Sequence, residues 1–356
     1  MKTTVSNGVA RIAILLHVLV LMAARAPAEA KPPTNMDPST TMWYESETKD
    51  WKDALPVGNG RLGAMYFGGV TEDRLQFNEE TYWTGGPYDS VSEGAYQHLD
   101  ELRKLLFEQR TPEAHLLFGR HFMAYPVEQM KYQSMGNVVF VHGNEGEVTN
   151  YRRELDLCTG VTRLSYQQNG VNYVREVFAS HPDQAIIMRI VGDQPGSISF
   201  VCQLRGVRNQ AHSNYATDYF RMDPWGQDGL KLTGKSADYL GVEGKLRYES
   251  RLKVRAKAGK VWTHIQTLHV RDADEVVLVL VAATNFKNYR DVGADCTRRV
   301  EAYLAGLEDR DYSQIKKDHI QDHRSLFDRV RLELGVVENS NLPTDVRKQR
   351  VQRSPD

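Results

Sequence analysis

The sequence predicts a mainly β protein: a large two-sheet β-sandwich, or supersandwich, with a helical insertion and a C-terminal helical linker. Two observations predict it. From Val138 to Thr284 one strand-like segment follows another, several alternating apolar and polar residues as half-buried strands do. Helical spacing is confined to two stretches, Ser92–Phe118 and the residues after Phe286. Many short strands with turns between them indicate a sandwich. Their number favours two large sheets over a small immunoglobulin-like unit.

Residues 1–30 read as a signal peptide. Lys2 and Arg11 supply positive charge, Ile12–Ala24 is apolar apart from His17, and Ala28-Glu29-Ala30 is an A-x-A-like cleavage site. The apolar run falls short of the ~20 residues that span a bilayer comfortably. A secreted or periplasmic protein is expected, with no membrane span after cleavage. Residues 31–42 are Pro-rich and without periodicity, a linker expected to be disordered.

The sandwich is expected over residues 43–288. Inside it, Leu99, Leu102, Leu105 and Leu106 recur at helical steps, and Pro112 with Glu113 can start a second helix. Strands follow from VVFVHG at Val138 through YESRLKVRAK at Tyr248, WTHIQTLHV at Trp262 and EVVLVLVAAT at Glu275. Asn169-Gly170 is a strong hairpin signal, because both residues tolerate the left-handed conformation of a tight turn. Ala258-Gly259-Lys260 is a looser one. Val276–Ala283 is apolar throughout but only of strand length.

Residues 289–335 read as a helical linker with a returning strand: helices over Asp291–Leu307 and Tyr312–Asp328, then VRLELG from Val330. Residues 336–356 are polar with little periodicity and are expected to be a frayed tail.

Lysine plus arginine number 45 and aspartate plus glutamate 46, a net charge of −1. No charge excess points to nucleic acid or a membrane surface. The cysteines Cys158, Cys202 and Cys296 are too few and too odd in number for a disulfide framework. At most one bridge can form, and the sequence does not choose it. Cys202 lies in an apolar strand pattern and reads as a buried small hydrophobe.

Gly58-Asn59-Gly60-Arg61-Leu62-Gly63 has the form G-x-G-x-x-G. That pattern binds dinucleotides only between a strand and a helix of a βαβ unit, and no such alternation follows. A tight glycine loop is expected instead. Asn78-Glu79-Glu80 offers two adjacent carboxylates, but adjacent strand residues face opposite sides, which makes them a poor acid/base pair with each other. A structural role is favoured, with a buried Glu accepting backbone hydrogen bonds or an arginine such as Arg61. Trp83, before Gly85-Gly86-Pro87, offers a face on which sugar C–H groups can lie, or a plug for the sandwich edge; the plug is favoured. The alternating charges of Tyr151–Leu157 and Arg175-Glu176 read as pairs across strands. His319 and His323 stand four apart on a predicted helix, but no third ligand is evident, so packing roles are expected. No metal and no cofactor are expected.

Four runs, WKDALPVGNGRLGAMYFGG, RLQFNEETYWTGGP, YRRELDLCTGV and YVREVFASHPDQAIIMRI, resemble glycoside hydrolase family 95, the α-L-fucosidases. The resemblance extends from about Trp43 to about Arg350. It implies an N-terminal β-sandwich related to that of family 65, followed in the family by an (α/α)6 barrel. It further implies inverting hydrolysis of α-L-fucosyl linkages on glycans or plant polysaccharides. The family's catalytic groups lie on the barrel, and its Pro-Ala-Asn-Leu-Gln-Gly run is not present. No catalytic residue is therefore expected in this chain, which is expected to be inactive alone and to partner the missing barrel. Asn59, Arg61, Asn78, Glu79 and Trp83 match the family's N-domain signature, as residues on the substrate side or at the domain contact. The resemblance also implies an apolar patch on the isolated domain, where the barrel would pack. The alternatives are a stand-alone carbohydrate-binding or scaffolding module and, less favoured, a small hydrolase using Glu79 or Glu80.

Overall fold

The structure, a computed structural model, describes residues 37, 39–143, 145–207, 220–332 and 341–353. The signal-peptide reading and most of the linker lie outside the described residues. In chain order the elements are β1 (Thr41–Tyr44), β2 (Leu55–Gly58), β3 (Leu62–Tyr66), β4 (Glu72–Glu79), α1 (Leu99–Phe107), α2 (Thr111–His121), β5 (Gly136–His142), β6 (Val148–Asp156), β7 (Val161–Gln168), β8 (Val171–Ser180), β9 (Ala185–Gly192), β10 (Ile198–Gly206), β11 (Phe220–Pro224), β12 (Gly229–Lys235), β13 (Arg247–Lys257), β14 (Lys260–His264), β15 (Thr267–Ala273), β16 (Glu275–Thr284), α3 (Cys296–Ala305), α4 (Tyr312–Phe327) and α5 (Thr344–Arg353).

Among the described residues the strands form two antiparallel sheets. One has nine strands in the order β1-β6-β7-β8-β9-β16-β13-β12-β11, the other seven in the order β14-β15-β10-β5-β4-β3-β2. The expected two-sheet sandwich is what forms. Its core lies between the sheets, where Tyr66, Phe77 and Phe140 of the smaller sheet meet Leu164, Val177 and Leu280 of the larger.

A second core lies on the outer face of the nine-stranded sheet. Phe178, Ile187, Val279 and Val281 pack there against Val300, Leu307 and Ile315. This explains why β9 and β16 read as unbroken apolar runs. Residues Ile186, Leu278 and Leu280 face the other sheet, while their neighbours Ile187, Val279 and Val281 face the helices. The helix α4 begins with a capping box in which Asp311 and Gln314 satisfy each other's backbone donors.

The Asn169-Gly170 turn forms as expected, with φ of 52° and 76° between β7 and β8. The Ala258-Gly259 turn also has two left-handed residues, but it is not a hairpin. β13 belongs to the nine-stranded sheet and β14 to the seven-stranded one, so this turn carries the chain across the sandwich. Three further expectations are corrected. WTHIQTLHV is two strands, β14 and β15, because Ile265 adopts φ 53° and turns the chain. The run carries no Gly, Pro, Asn or Asp to mark a turn, and isoleucine is a residue that rarely takes this conformation. The strand expected from Val330 is not seen over Val330–Leu332, and its remainder lies outside the described residues. The tail is not frayed throughout: it contains α5. Thr344 accepts a hydrogen bond from the Trp43 amide at 3.0 Å, and Lys348 pairs with Asp53 at 2.6 Å. The helix is polar nearly all round, so propensity and these two anchors form it without the apolar stripe that periodicity detects.

His319 and His323 do not make a metal site. Each ring Nε2 lies on a carbonyl oxygen of the turn after β6, His319 on Thr159 at 2.9 Å and His323 on Leu157 at 2.8 Å. A carbonyl only accepts, so both nitrogens carry the proton and donate. His319 also stacks on Phe178 at 4.6 Å. Burial, partly opposed by the hydrogen bond to Thr159, lowers its pKa to about 4. The unfolded chain therefore binds a proton that the folded chain refuses between the ordinary value of 6.5 and about 4. This contribution to stability is complete above that window and is lost as pH falls through it. His319→Gln keeps a donor toward Thr159 but cannot titrate. Thermal unfolding between pH 7 and pH 4 is expected to show a flatter stability profile for this variant than for the unmodified chain.

Candidate functional site

One end of the sandwich gathers the long connections. Leu62 pairs with Glu79, Ser180 with Ala185, Lys235 with Arg247 and Tyr248 with Thr284. These pairings place the β2–β3 loop, the insertion between β4 and β5, the β8–β9 turn, the β12–β13 loop and the segment after β16 at the same end. Loops held by a rigid scaffold are where binding groups collect. All five residues singled out in the sequence stand here, and the structure divides them into two groups.

Asn59, Arg61 and Glu79 form an inward group. The G-x-G-x-x-G run is the tight turn from β2 to antiparallel β3, and no helix follows it. Asn59 Oδ1 accepts the amides of Arg61 (3.1 Å) and Leu62 (2.7 Å), and its amide donates to the Ser180 carbonyl (2.9 Å). The loop is thereby closed on itself and fastened to the other sheet. Arg61 donates from Nε to Gln184 Oε1 (2.6 Å), from Nη1 to the Ala282 carbonyl (2.6 Å) and from Nη2 to the Gln184 carbonyl (3.2 Å). Its guanidinium lies over the Tyr303 ring of α3 at 4.6 Å. One side chain thus ties a loop of the small sheet to the β8–β9 turn and strand β16 of the large sheet and to a helix.

Glu79 is 3% exposed. Its Oε1 is 3.7 Å from Arg61 Nη1, and its Oε2 accepts the Thr81 amide (2.9 Å) and hydroxyl (2.6 Å). The Thr81 hydroxyl in turn meets that of Thr284 on β16. Burial raises the Glu79 carboxyl above its ordinary value, and the Thr81 hydrogen bonds and Arg61 work against that. Both carboxylate oxygens are engaged by the protein. Glu80 lies beyond the end of β4, exposed to solvent. The two acids do not face a common space, as the strand geometry predicted.

Asn78 and Trp83 form an outer group, in which Trp83 is half-buried and packs against the main core, as expected of a plug at the sandwich edge. Trp83 bridges to Tyr132 at the end of the helical insertion, with ring centroids 5.1 Å apart, and its Nε1 donates to the Glu80 carbonyl at 2.9 Å. Asn78 lies beside the Tyr132 hydroxyl and works against the larger, raising effect of burial on its pKa. The sequence reading passed over Tyr132, which lies 49 residues after Trp83 along the chain. It also missed Gln184, Thr284 and Tyr303. Gln184 lies within YVREVFASHPDQAIIMRI, one of the four signature runs, which is the signal that could have found it.

Among the described residues, no group of three or more His, Cys, Asp or Glu side chains could hold a metal ion, and no helix is long and apolar enough to cross a membrane. The three cysteines are free thiols, Cys202 fully buried and its thiol pushed up by that burial. The insertion exposes large apolar side chains, among them Phe107 (86%), Tyr96 (77%) and Leu116 (69%), while α1 and α2 bury only Leu105 and Ala114.

A family model described as "Glycosyl hydrolase family 65, N-terminal domain" matches residues 42–289. Alpha-L-fucosidase 2 of Arabidopsis thaliana is 33% identical over 317 residues, covering 82% of this chain and 36% of that protein. The "Probable alpha-fucosidase A" of Aspergillus niger is 25% identical over 301 residues, covering 79% and 36%, and that of Aspergillus oryzae is 22% identical over 326 residues, covering 85% and 42%. The chain spans less than half the length of each of these relatives.

Proposed function

Because the chain belongs to the family of glycosyl hydrolase N-terminal domains and is of the α-fucosidase-like kind, we propose that it is the non-catalytic sandwich of a secreted α-L-fucosidase. In the proposed whole enzyme, hydrolysis of α-L-fucosyl linkages by inversion takes place on a barrel domain that this sandwich supports. The observation that carries the reading is the commitment of Glu79. Inverting hydrolysis needs two carboxyl groups about 6.5–9.5 Å apart, across the scissile bond, with room for a water between them. The buried acid of the signature has one oxygen hydrogen-bonded by Thr81 and the other ion-paired with Arg61 at 3.7 Å. The signature therefore braces the loop-rich end instead of cutting a bond there.

The exposed apolar side chains of α1 and α2 support the same reading, since a monomer rarely leaves such a surface without a partner. Secretion rests on the apolar leader and cleavage site at residues 1–30.

The test is release of fucose from an aryl α-L-fucoside by the purified chain. No release above the buffer rate is expected. Turnover that disappears when Glu79 or Glu80 is changed to Gln would overturn the reading.

A further inference from the structure

The outer group at the loop-rich end has the makings of a ligand surface. Tyr132 is 46% exposed. A large aromatic residue so exposed usually moves freely, yet this one is held from several sides. Its ring lies 5.1 Å from that of Trp83, with 59° between the planes. Asn78 stands beside its hydroxyl. The backbone around it is paired: the Thr84 amide donates to the Lys131 carbonyl at 2.8 Å, and the Gln133 amide to the Tyr82 carbonyl at 3.0 Å. Lys131 in turn donates its amide to the Thr84 hydroxyl at 2.8 Å. The platform is thus rigid before anything binds, which lowers the entropy a ligand must overcome.

Polar groups stand beside the ring. Asn78 is on the outward face of β4, next to Tyr132. Glu80, one residue past the strand, is exposed, and its carboxylate makes no hydrogen bond or ion pair among the described residues. Both Glu79 and Glu80 act electrostatically on the Tyr132 hydroxyl, although burial is the larger influence on it. An aromatic face with an amide and a free carboxylate at its edge suits a ligand with one C–H surface and a rim of hydroxyls. A deoxyhexose is such a ligand, because the methyl group that replaces its hydroxymethyl extends the apolar surface.

We infer that Tyr132, backed by Trp83 and flanked by Asn78 and Glu80, forms a saccharide-binding platform for a fucosyl residue on the sandwich itself. The sugar's apolar face lies on the Tyr132 ring, and its hydroxyls donate to Glu80 and exchange hydrogen bonds with Asn78. The choice of a 6-deoxy sugar rests on the proposed fucosidase reading; the platform does not. Recognition is weak and of millimolar class, as an exposed single-ring site allows.

The experiment is a titration of the purified chain with methyl α-L-fucoside, followed by the indole N–H resonances in proton–nitrogen NMR. The Trp83 signal is identified by its loss in Trp83→Phe. A saturable shift of that signal is expected. Tyr132→Ala is expected to weaken binding about tenfold, the equivalent of one lost aromatic contact, while Tyr132→Phe keeps it within about twofold. Glu80→Ala, on the exposed surface where folding is not at stake, is expected to weaken binding several-fold and serves if Tyr132→Ala does not fold. The platform is overturned if the Trp83 signal does not move, or if neither Tyr132→Ala nor Glu80→Ala changes the affinity. Methyl α-D-glucoside separates the two ideas. Weaker binding of the glucoside supports the fucosyl assignment, whereas equal binding overturns that assignment. Hydrolysis of the aryl fucoside by the chain would defeat the non-catalytic reading without touching the platform.

Discussion

Asp73→Ala is expected to destabilise the fold by about 3–5 kcal/mol, the usual cost of removing one partner from a buried ion pair. Asp73 on β4 and Arg175 on β8 meet between the two sheets, with 2.9 Å between Oδ2 and Nη1 and almost no exposure of either side chain. Arg175 also donates to the carbonyls of Gly69 (2.7 Å) and Val70 (3.3 Å) and to the Tyr166 hydroxyl (2.8 Å). The other Asp73 oxygen accepts the amides of Gly69 (3.0 Å) and Arg74 (2.8 Å). Without Asp73 the guanidinium stays in the core with no opposing charge, and two backbone amides lose their acceptor. The double variant Asp73→Leu, Arg175→Met removes both charges and is expected to be more stable than Asp73→Ala, because the cost lies in the orphaned charge more than in the missing attraction. Urea unfolding of the three proteins measures this. Equal stability of the single and double variants would show that the pair is not isolated from solvent.

The second large effect is expected at the loop-rich end. Arg61→Met should cost about 3 kcal/mol, the sum of lost charge-assisted hydrogen bonds and of a buried carboxylate left without its cation. The Ala282 carbonyl and both oxygens of Gln184 lose a donor, and Glu79 loses its opposing charge. Arg61→Lys is expected to recover little of this. A single ammonium cannot reach three acceptors in different directions while sitting over the Tyr303 ring. Thermal unfolding of the two variants checks it, and a lysine variant as stable as the unmodified chain would argue that charge alone is what the site requires. If the loop-rich end also carries sugar, the Arg61 variants should weaken methyl α-L-fucoside binding less than Tyr132→Ala does, since Arg61 touches the brace and not the platform.

Much of the architecture was legible along the chain. Strand and helix periodicity located most of the sandwich and the two linker helices, because each element's burial pattern is written in its own residues. The Asn169-Gly170 hairpin was legible because those two residue types suit a left-handed turn. The Ile265 turn was not, since nothing in its residue types announces it. The helix α5 escaped because its anchors, Trp43 and Asp53, lie about 300 residues earlier.

The candidate site was legible in its membership but not in its arrangement. Asn59, Arg61, Asn78, Glu79 and Trp83 were all visible as a signature. That Arg175, read as one of a pair across strands, instead holds the acid of the opposite sheet could not be seen, because nothing in a strand's pattern says what the facing sheet presents. Tyr132 was equally hidden, brought to Trp83 only by the return of a helical excursion.

The sequence by itself determined the kind of protein: a sandwich of glycosyl hydrolase N-terminal type, marked by alternation along each strand and by its signature runs. The tertiary structure alone decided which side chains meet, and so divided the signature into an inward brace and an outer aromatic group. The physical reason is range. Periodicity and turn chemistry act within a few residues, whereas a buried charge or an exposed ring takes its role from neighbours that only folding brings within hydrogen-bond distance.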